Sequence, residues 1–172
     1  MKRALQLFSR RGALKWAGLV LVLIGLLFDA LRPAGRVVDV EGTARAIDGD
    51  SLHVAGREVR MQGIDAPEGR QSCRRDGREY ACGEEARKLL QRLIGGGKVF
   101  CKGLEIDKHD RLLALCKAGN IDLNREMVAQ GFAVAYGRFR DEEKAAKTGG
   151  KGLWAGEFTP PRDWRRERNI GL

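Results

Sequence analysis

The sequence predicts a β-rich α+β fold, a small five-stranded Greek-key barrel with about three helices and a preceding N-terminal hydrophobic helix. Three observations predict it. The chain has 172 residues, a length that suits a single domain. Three segments rich in β-branched residues come first, and two more follow a single amphipathic helix. Five strands with one helix inserted before the fourth fit a small barrel whose helices lie at its rim.

Residues 1–35 are interpreted as an export segment with a short linker. They hold six Lys or Arg and one Asp, and residues 16–28, WAGLVLVLIGLLF, carry no charge. A signal-peptide core needs roughly 7–15 apolar residues and a membrane-spanning helix roughly 20, so this length favours a signal peptide. The following DALRPAG lacks a small-x-small cleavage site. An uncleaved signal-anchor therefore stays open as the alternative.

The export segment predicts where the protein acts. We expect it to be exported to the periplasm or to face the cell exterior, and to associate with the inner membrane through residues 16–28 if that segment is retained. Residues 36–165 are expected to form the domain and residues 166–172 a short basic tail. After residue 35 the chain carries about +4 of its net charge of +9, which permits a polyanionic partner without requiring one.

The first half of the domain is predicted to hold three strands, a polar loop and a helix. The strands are the segments with β-branched and alternating residues: 38–47, 51–55 and 58–64. Residues 55–58, AGRE, are predicted to form the hairpin turn between the second strand and the third. Residues 69–83 form the polar loop, and residues 84–94 form a helix because apolar residues recur at i, i+3, i+4 and i+7. The glycines at 95–97 end this helix.

The second half begins with a predicted hairpin made of residues 98–106 and 111–118. If its turn centres on residues 108–109, Cys101 lies directly opposite Cys116. Opposed strand residues have Cα atoms about 4.5–5.5 Å apart, which is within the range that a disulfide accepts. The register therefore predicts a Cys101–Cys116 bond.

The other two cysteines, Cys73 and Cys82, then pair by elimination. An even number of cysteines after an export signal favours disulfides. Zinc is disfavoured because the chain has no C-x-x-C pair and only two histidines. Buried free thiols stay open as the alternative.

The remainder of the domain is predicted to be mainly helical. Helices are expected at 121–131 and at 140–154, the second interrupted by glycines at 149–150, with a strand-like segment at 132–136 between them. Residues 160–169, PPRDWRRERN, are interpreted as basic and irregular.

The DGD motif at residues 48–50 has two interpretations. Asp-Gly-Asp followed by Ser suits a turn, whereas carboxylates close together suit a hard-cation site. With the AGRE turn centred on residues 56–57, Asp50 lies opposite Gly63, and Asp65 faces the same side two residues later. Asp50 and Asp65 can therefore converge on one calcium ion, which binds carboxylate, carbonyl and water oxygens.

Two arginines near these acids are not brought to the site by spacing alone. Arg60 has the opposite facing parity to Gly63, so simple alternation points it into solvent unless the strand bends. Arg111 opens the strand after DKHD, and a solvated hairpin charge is its plain interpretation.

Four motifs together resemble one known family. AIDGDS, VRMQGIDAPE, DKHDRLLA and GLW followed by PP occur in the order seen in the staphylococcal (micrococcal) nuclease-like, or thermonuclease, family. The resemblance covers about residues 38–164. It implies a five-stranded OB-fold barrel with helices, and a Ca²⁺-dependent hydrolysis of phosphodiester bonds in DNA and RNA.

The resemblance also implies a role for each matched residue. Asp50 and Asp65 match the family's calcium carboxylates, and Ala66 matches a position, usually threonine, that offers its main-chain carbonyl. Glu68 matches the glutamate that acts as general base or orients the water. Arg60 and Arg111 match the two arginines that hold the scissile phosphate. Tyr136 and Lys108 match substrate contacts. His109 and Asp110 stand where the family usually has Tyr-Gly, which affects substrate contacts more than catalysis.

We therefore expect an exported or membrane-anchored nuclease that acts as a monomer on DNA or RNA. Replacing Arg60, Glu68 or Arg111 with alanine is expected to remove most hydrolysis and to leave the fold intact. Two alternatives stay open. One is an OB-fold module that binds single strands without cutting them, and the other is a membrane-tethered structural protein.

Overall fold

A closed five-stranded barrel forms the centre of the fold in residues 37–170, the part of the chain that this computed structural model describes. In chain order its strands and α-helices are β1 (Val40–Ala46), β2 (Ser51–Val54), β3 (Arg57–Met61), β4 (Ile64–Asp65), β5 (Cys73–Arg75), β6 (Arg78–Tyr80), α1 (Cys82–Ile94), β7 (Lys98–Ile106), β8 (Leu112–Ala118), β9 (Ile121–Asp122), α2 (Leu123–Ala129), β10 (Val134–Ala135), α3 (Arg140–Thr148) and α4 (Pro161–Glu167). A 3₁₀ turn at Gly152–Ala155 precedes α4.

The barrel closes because its first and last strands meet. The strands lie in the order β3-β2-β1-β7-β8, β9 extends the sheet beside β8, and β3 pairs in parallel with β8. Closure pairs the edges that an open sheet would expose. The predicted five-stranded barrel is confirmed. Within residues 37–170, however, there are four α-helices and not about three.

Several predictions concern residues outside the described range. The N-terminal hydrophobic helix, the export segment and its apolar core at 16–28 all lie outside residues 37–170. Among residues 37–170, no helix is both long enough and apolar enough to cross a membrane.

The hydrophobic core fills the barrel and continues under α1. Alternate positions along the strands point inward, as with Leu52 and Val54 on β2. The predicted apolar stripe of α1 is confirmed, since its buried residues include Ala86, Leu89 and Leu90. Each fully buried leucine contributes about 1.5–3 kcal/mol relative to an exposed one. This stripe therefore anchors α1 on the barrel.

Both predicted disulfides are present. Cys101 lies opposite Cys116 in the β7–β8 ladder, and the two sulfurs are bonded. Cys73, at the start of β5, is bonded to Cys82, the first residue of α1. Within residues 37–170 no cysteine is free, so the free-thiol alternative is wrong.

The predicted register of the first hairpin is wrong by two residues. Ser51 pairs with Arg60 and Val54 with Arg57, so each residue of β2 pairs with a residue of β3 two positions earlier than predicted. The turn accordingly centres on residues 55–56 and not on 56–57. Gly56 has φ 84° and Ala55 has φ 49°, the left-handed conformations that a tight two-residue hairpin turn requires.

The tail at 160–169, interpreted as irregular, contains helix α4 instead. Pro161 occupies the start of the helix, where a fixed φ and a missing N–H suit the first turn. Trp164 is buried, so α4 docks on the domain. The helix also runs across the expected boundary between residues 165 and 166.

Other differences are local. The polar loop at 69–83 contains the β5–β6 hairpin, and α1 begins two residues earlier than expected. The helix expected at 121–131 is shorter, because residues 121–122 form strand β9 and Asp122 caps α2 by accepting the Arg125 N–H.

Candidate active site

The DGD turn lies very close to helix α1. Asp48 Oδ1 accepts a hydrogen bond from the Asp50 N–H at 3.0 Å, which is the bond of an Asx turn. A Cβ on Gly49 would lie 2.6 Å from the Ala66 Cβ and 2.8 Å from the Ala86 Cβ, so a larger residue would have to displace them. The motif therefore turns the chain and also holds Asp50 against the segment that contains Ala66.

Arg60 joins the two carboxylates that were predicted to bind metal. Its guanidinium donates to the two Asp50 carboxylate oxygens at 3.0 Å each and to Asp65 Oδ1 at 3.1 Å. Asp50 also accepts from the Ser51 hydroxyl at 3.1 Å and from the Ala66 N–H at 2.9 Å. Asp50 and Asp65 are only 2% and 7% exposed, so these donors replace water that burial removes.

The solvent-facing interpretation of Arg60 is wrong, because strand alternation stops before Asp65. Strand β3 ends at Met61, and Gly63 follows with φ 85°, a conformation that suits glycine. The chain turns there and returns in β4, which brings Asp65 back to Arg60. Counting alternate residues straight through this turn therefore fails.

Arg165, on α4, contacts the same site, and sequence reasoning gave it no role. Its guanidinium donates to both Asp65 oxygens at 2.9 and 3.0 Å and to Glu68 Oε1 at 2.7 Å. Burial lowers the pKa of Arg165, but its bonds to Asp65 and Glu68 outweigh burial and hold the pKa above its usual value. We call Asp50, Arg60, Asp65, Glu68 and Arg165 the carboxylate–arginine cluster.

The backbone of Glu68 is held by close packing. Its N–H donates to Gln71 Oε1 at 3.3 Å, and its carbonyl accepts the Gln71 N–H at 2.7 Å. A Cβ on Gly83 would lie 1.8 Å from the Glu68 carbonyl oxygen, so only glycine allows α1 to pack there. The Cys73–Cys82 disulfide closes the loop between these two contacts.

Burial dominates the electrostatics of Asp50. The net effect raises the pKa of Asp50 from 3.8 to about 7: burial raises it most, Arg60 and the Ala66 N–H lower it, and the charges of Asp48 and Asp65 raise it. A cation close to Asp50 therefore favours its ionised form, and in this structure Arg60 is that cation.

Arg111 is held by the β7–β8 turn. Its guanidinium contacts Asp107 Oδ2 through Nε at 2.8 Å and Nη2 at 2.7 Å, while the Arg111 and His109 N–H groups donate to Asp107 Oδ1. Burial raises the pKa of Asp107, but these hydrogen bonds outweigh burial and leave the pKa below its usual value. Arg111 is therefore an anchored, three-quarters buried side chain and not a freely solvated hairpin charge.

Two grooves meet at the cluster. The hairpin groove, about 580 Å³, is lined by Glu68, Lys108 and Arg111 among others. The α4 groove, about 600 Å³, is lined by Tyr136 and by residues of β3, β4 and α4. Arg60 and Arg165 line both grooves, so the two adjoin at the carboxylate–arginine cluster.

The predicted site residues are thus distributed over one surface. The structure brings Asp50, Arg60, Asp65 and Glu68 together in the cluster. Arg111 and Lys108 share the hairpin groove with Glu68, and Tyr136, 66% exposed, lies in the α4 groove. The main-chain N–H of Ala66 contacts Asp50, which places Ala66 beside the same carboxylates.

The donor chemistry of the cluster fits a hard divalent cation such as Ca²⁺. Asp50 and Asp65 are nearly buried and already converge on one positive group, the Arg60 guanidinium. Within residues 37–170, however, no three His, Cys, Asp or Glu side chains are grouped closely enough to hold a metal ion by themselves. Main-chain carbonyl and water oxygens would have to complete the coordination.

The family described as "Staphylococcal nuclease homologue" matches residues 58–156, which is more than half of the chain. The chain belongs to this family. A relative in Rhizobium meliloti (strain 1021), called "Succinoglycan biosynthesis protein ExoI", is 30% identical over 154 residues that cover 85% of this chain and 80% of that protein. The resemblance of the sequence motifs is therefore confirmed.

Other relatives of this staphylococcal nuclease homologue are named as nucleases. An "Uncharacterized endonuclease" of Haemophilus influenzae is 28% identical over 90% of this chain and 88% of its own length. The rice protein "Probable staphylococcal-like nuclease CAN3" is 32% identical, but the match covers 64% of this chain and only 29% of that protein.

The family match does not reach Arg165, the site residue that sequence reasoning missed. It includes Arg60, Asp65, Glu68 and Arg111, but Arg165 lies nine residues beyond its end at residue 156. One signal could have located the helix of Arg165: the proline pair before an acid and a tryptophan, which is typical of a helix start.

Proposed function

We propose that the protein is a Ca²⁺-dependent nuclease that hydrolyses phosphodiester bonds of DNA, RNA or both. The observation that carries this proposal is the carboxylate–arginine cluster, where three carboxylates and two guanidinium groups meet between two grooves. Membership of the staphylococcal nuclease homologues supports the reaction class, as do the relatives named endonuclease and staphylococcal-like nuclease.

In this proposal Arg60 and Arg111 bind the scissile phosphate. Both side chains line the hairpin groove, and each is held in place by a carboxylate, Asp50 for Arg60 and Asp107 for Arg111. A planar guanidinium can donate two parallel hydrogen bonds to phosphate oxygens, which a lysine cannot do. These two residues therefore stabilise the negative charge that develops on the phosphate.

Glu68 takes the proton of the attacking water and so acts as the general base. Its carboxylate accepts from the Arg165 guanidinium at 2.7 Å and lines the hairpin groove together with Arg60 and Arg111. Asp50, Asp65 and the main-chain carbonyl of Ala66 would hold the calcium ion. When bound, Ca²⁺ neutralises part of the phosphate charge and helps to orient the water.

We also propose that residues 1–35 direct export of the protein. Two disulfides are typical of proteins that fold in oxidising compartments. A nuclease that acts outside the cytoplasm, with or without a retained membrane segment, fits this cysteine usage.

The second candidate is an OB-fold module that binds nucleic acid without cutting it. It is favoured by one observation: Arg60 and Arg165 already engage the oxygens of Asp50 and Asp65, the two carboxylates expected to hold metal. If the arginines stay bound there when Ca²⁺ is present, the grooves bind a strand but the cluster does not hydrolyse it.

The experiment compares wild type, Glu68→Gln and Glu84→Gln as full-length oxidised protein. Each is incubated with single-stranded DNA, double-stranded DNA and RNA, with Ca²⁺ or with chelator. We expect Ca²⁺-dependent cleavage by wild type and by Glu84→Gln, a matched change on α1 outside the cluster. Glu68→Gln should lose activity by about 10²-fold or more. Binding of the strands without cleavage by wild type would instead support the OB-fold module.

A further inference from the structure

Two arginines that line the α4 groove, Arg138 and Arg162, are held by no acid within residues 37–170. Both arginines are exposed, and neither side chain forms a hydrogen bond or ion pair with any residue in the range 37–170. Other exposed arginines, such as Arg45 and Arg92, are also without an acidic partner in that range, but they do not line the α4 groove. Two unpaired guanidinium groups that face one groove are available to an anionic ligand.

Charge in the α4 groove is one-sided. Its described lining contains four arginines, Arg60, Arg138, Arg162 and Arg165, and two acids, Asp65 and Glu105. Asp65 is already neutralised within the carboxylate–arginine cluster. The described lining of the groove therefore carries a net positive charge, to which Arg138 and Arg162 contribute two unpaired guanidinium groups.

The backbone explains why these two arginines reach one groove. The Cβ and Cδ of Arg138 lie 3.0 Å from where a Cβ of Gly63 would be, so this side chain crosses the bare glycine at the turn after β3. Arg162 precedes Arg165 by three residues on α4, and residues three apart share a helix face. One face of α4 thus presents Arg165 to the cluster and Arg162 to the groove.

An aromatic ring lies in the same groove. Tyr136 is 66% exposed, and its backbone N–H donates to the Gly63 carbonyl at 2.8 Å, which fixes the chain beside the turn. A positive groove with an exposed aromatic side chain is the arrangement that binds a nucleic-acid strand, with guanidinium groups on phosphates and the ring under a base.

We propose that Arg138 and Arg162 bind phosphates of the substrate strand next to the phosphodiester bond that is cut. Helix α4 is then one wall of the substrate groove, and these residues determine how long a strand the enzyme grips. This inference rests on the proposed nuclease function. It adds two substrate-binding residues, one of which lies outside the range 58–156 that the family match covers.

Binding measurements in chelator test the inference without cleavage. Full-length protein is titrated against a labelled single-stranded DNA of about 12 nucleotides, within the site size of OB folds, over a series of NaCl concentrations. The variants are Arg138→Ala, Arg162→Ala and the matched control Arg166→Ala. Arg166 is on the same helix and carries the same charge, but it pairs with Asp163 and does not line the groove.

The salt dependence gives the sharpest expectation. Each lost phosphate contact should reduce the slope of log affinity against log salt by about 0.7 for a single strand. Arg138→Ala and Arg162→Ala should each show this reduction, and Arg166→Ala should retain the wild-type slope. A wild-type slope in Arg162→Ala, or an equal reduction in Arg166→Ala, would overturn the inference.

Strand length provides the second readout, with Ca²⁺ present. For the DNA of about 12 nucleotides, Arg162→Ala should raise KM about tenfold and leave kcat nearly unchanged. The lost contact would stabilise the bound substrate and the transition state equally. For a dinucleotide, which is too short to span the groove, variant and wild type should have the same KM. If wild type cleaves and Arg162→Ala matches it on both substrates, the inference alone fails. If wild type neither binds nor cleaves, the proposed function fails with it.

Discussion

At the scale of single residues, Asp50 depends on Arg60. Asp50 is 2% exposed and its carboxylate accepts two hydrogen bonds from that guanidinium. Removal of Arg60 leaves Asp50 with the hydrogen bonds from Ser51 and Ala66 but with no opposite charge from that residue, and breaking a buried ion pair costs about 3–5 kcal/mol in other proteins. The structure therefore revises the expectation that Arg60→Ala leaves the fold intact.

We expect Arg60→Ala to lower the free energy of unfolding by about 3 kcal/mol, because Asp50 stays buried and loses its partner. Urea denaturation measures this change. The double variant Arg60→Ala/Asp50→Asn is the control, since it removes the stranded charge and should regain part of the stability. An Arg60→Ala protein with the wild-type denaturation midpoint would contradict the prediction.

Arg165 gives a second prediction at this scale, because it ties α4 to the barrel. Arg165→Ala should cost about 1–3 kcal/mol, since Asp65 and Glu68 lose charge-assisted hydrogen bonds in a partly buried site. Arg166→Ala, which breaks only the exposed pair with Asp163, should change stability by less than about 0.5 kcal/mol. Chemical denaturation compares the two. Equal effects would show that Arg165 contributes only its charge.

At the scale of elements, the β7–β8 turn holds Arg111 through Asp107. The folded pKa of Asp107 lies below the ordinary value of 3.8. The Asp107–Arg111 pair therefore contributes its full stabilisation above pH 3.8. That contribution is lost as the pH falls through the lowered pKa. A carboxyl NMR titration should give a midpoint below 3.8 for Asp107. The stability difference between wild type and Asp107→Asn should also shrink below about pH 4. A midpoint above 3.8 would mean that Arg111 is not held.

Elements with a regular pattern could be predicted, and elements that depend on tertiary contacts could not. The Cys101–Cys116 pairing was predicted correctly, although the turn centres on residue 109 and not on residues 108–109, because a β-bulge between Gly103 and Glu105 restores the predicted register at the cysteines. The first hairpin was misplaced because two adjacent residues, Ala55 and Gly56, form its turn, and the sequence alone favoured the next pair. Helix α4 was missed because seven residues are too few for a periodic pattern.

At the scale of the whole molecule, the motifs located the site, but its internal contacts needed the fold. Asp50, Asp65 and Glu68 could be selected from their motifs and family resemblance. That Arg165 contacts Asp65 could not, since the two are 100 residues apart in the chain and meet only when α4 docks. The turn at Gly63, which brings Arg60 to Asp65, likewise interrupts the alternation on which sequence reasoning depends.

The two disulfides join different elements of the domain, which leads to the last prediction. Cys101–Cys116 joins two barrel strands and is fully buried, so replacing both cysteines with alanine should lower global stability by about 3 kcal/mol. Cys73–Cys82 closes the loop between the Glu68 segment and α1. Its removal should reduce activity more than the barrel variant does, because Glu68 loses its packing against Gly83.

Thermal unfolding and nuclease assays on both double-alanine variants measure this separation. The barrel variant should unfold at a lower temperature and, at temperatures where it is folded, keep most of its activity. The loop variant should keep a folded barrel by circular dichroism, with a lower kcat. Equal activity losses in both variants would show that the Cys73–Cys82 bond supports the fold generally and does not position Glu68.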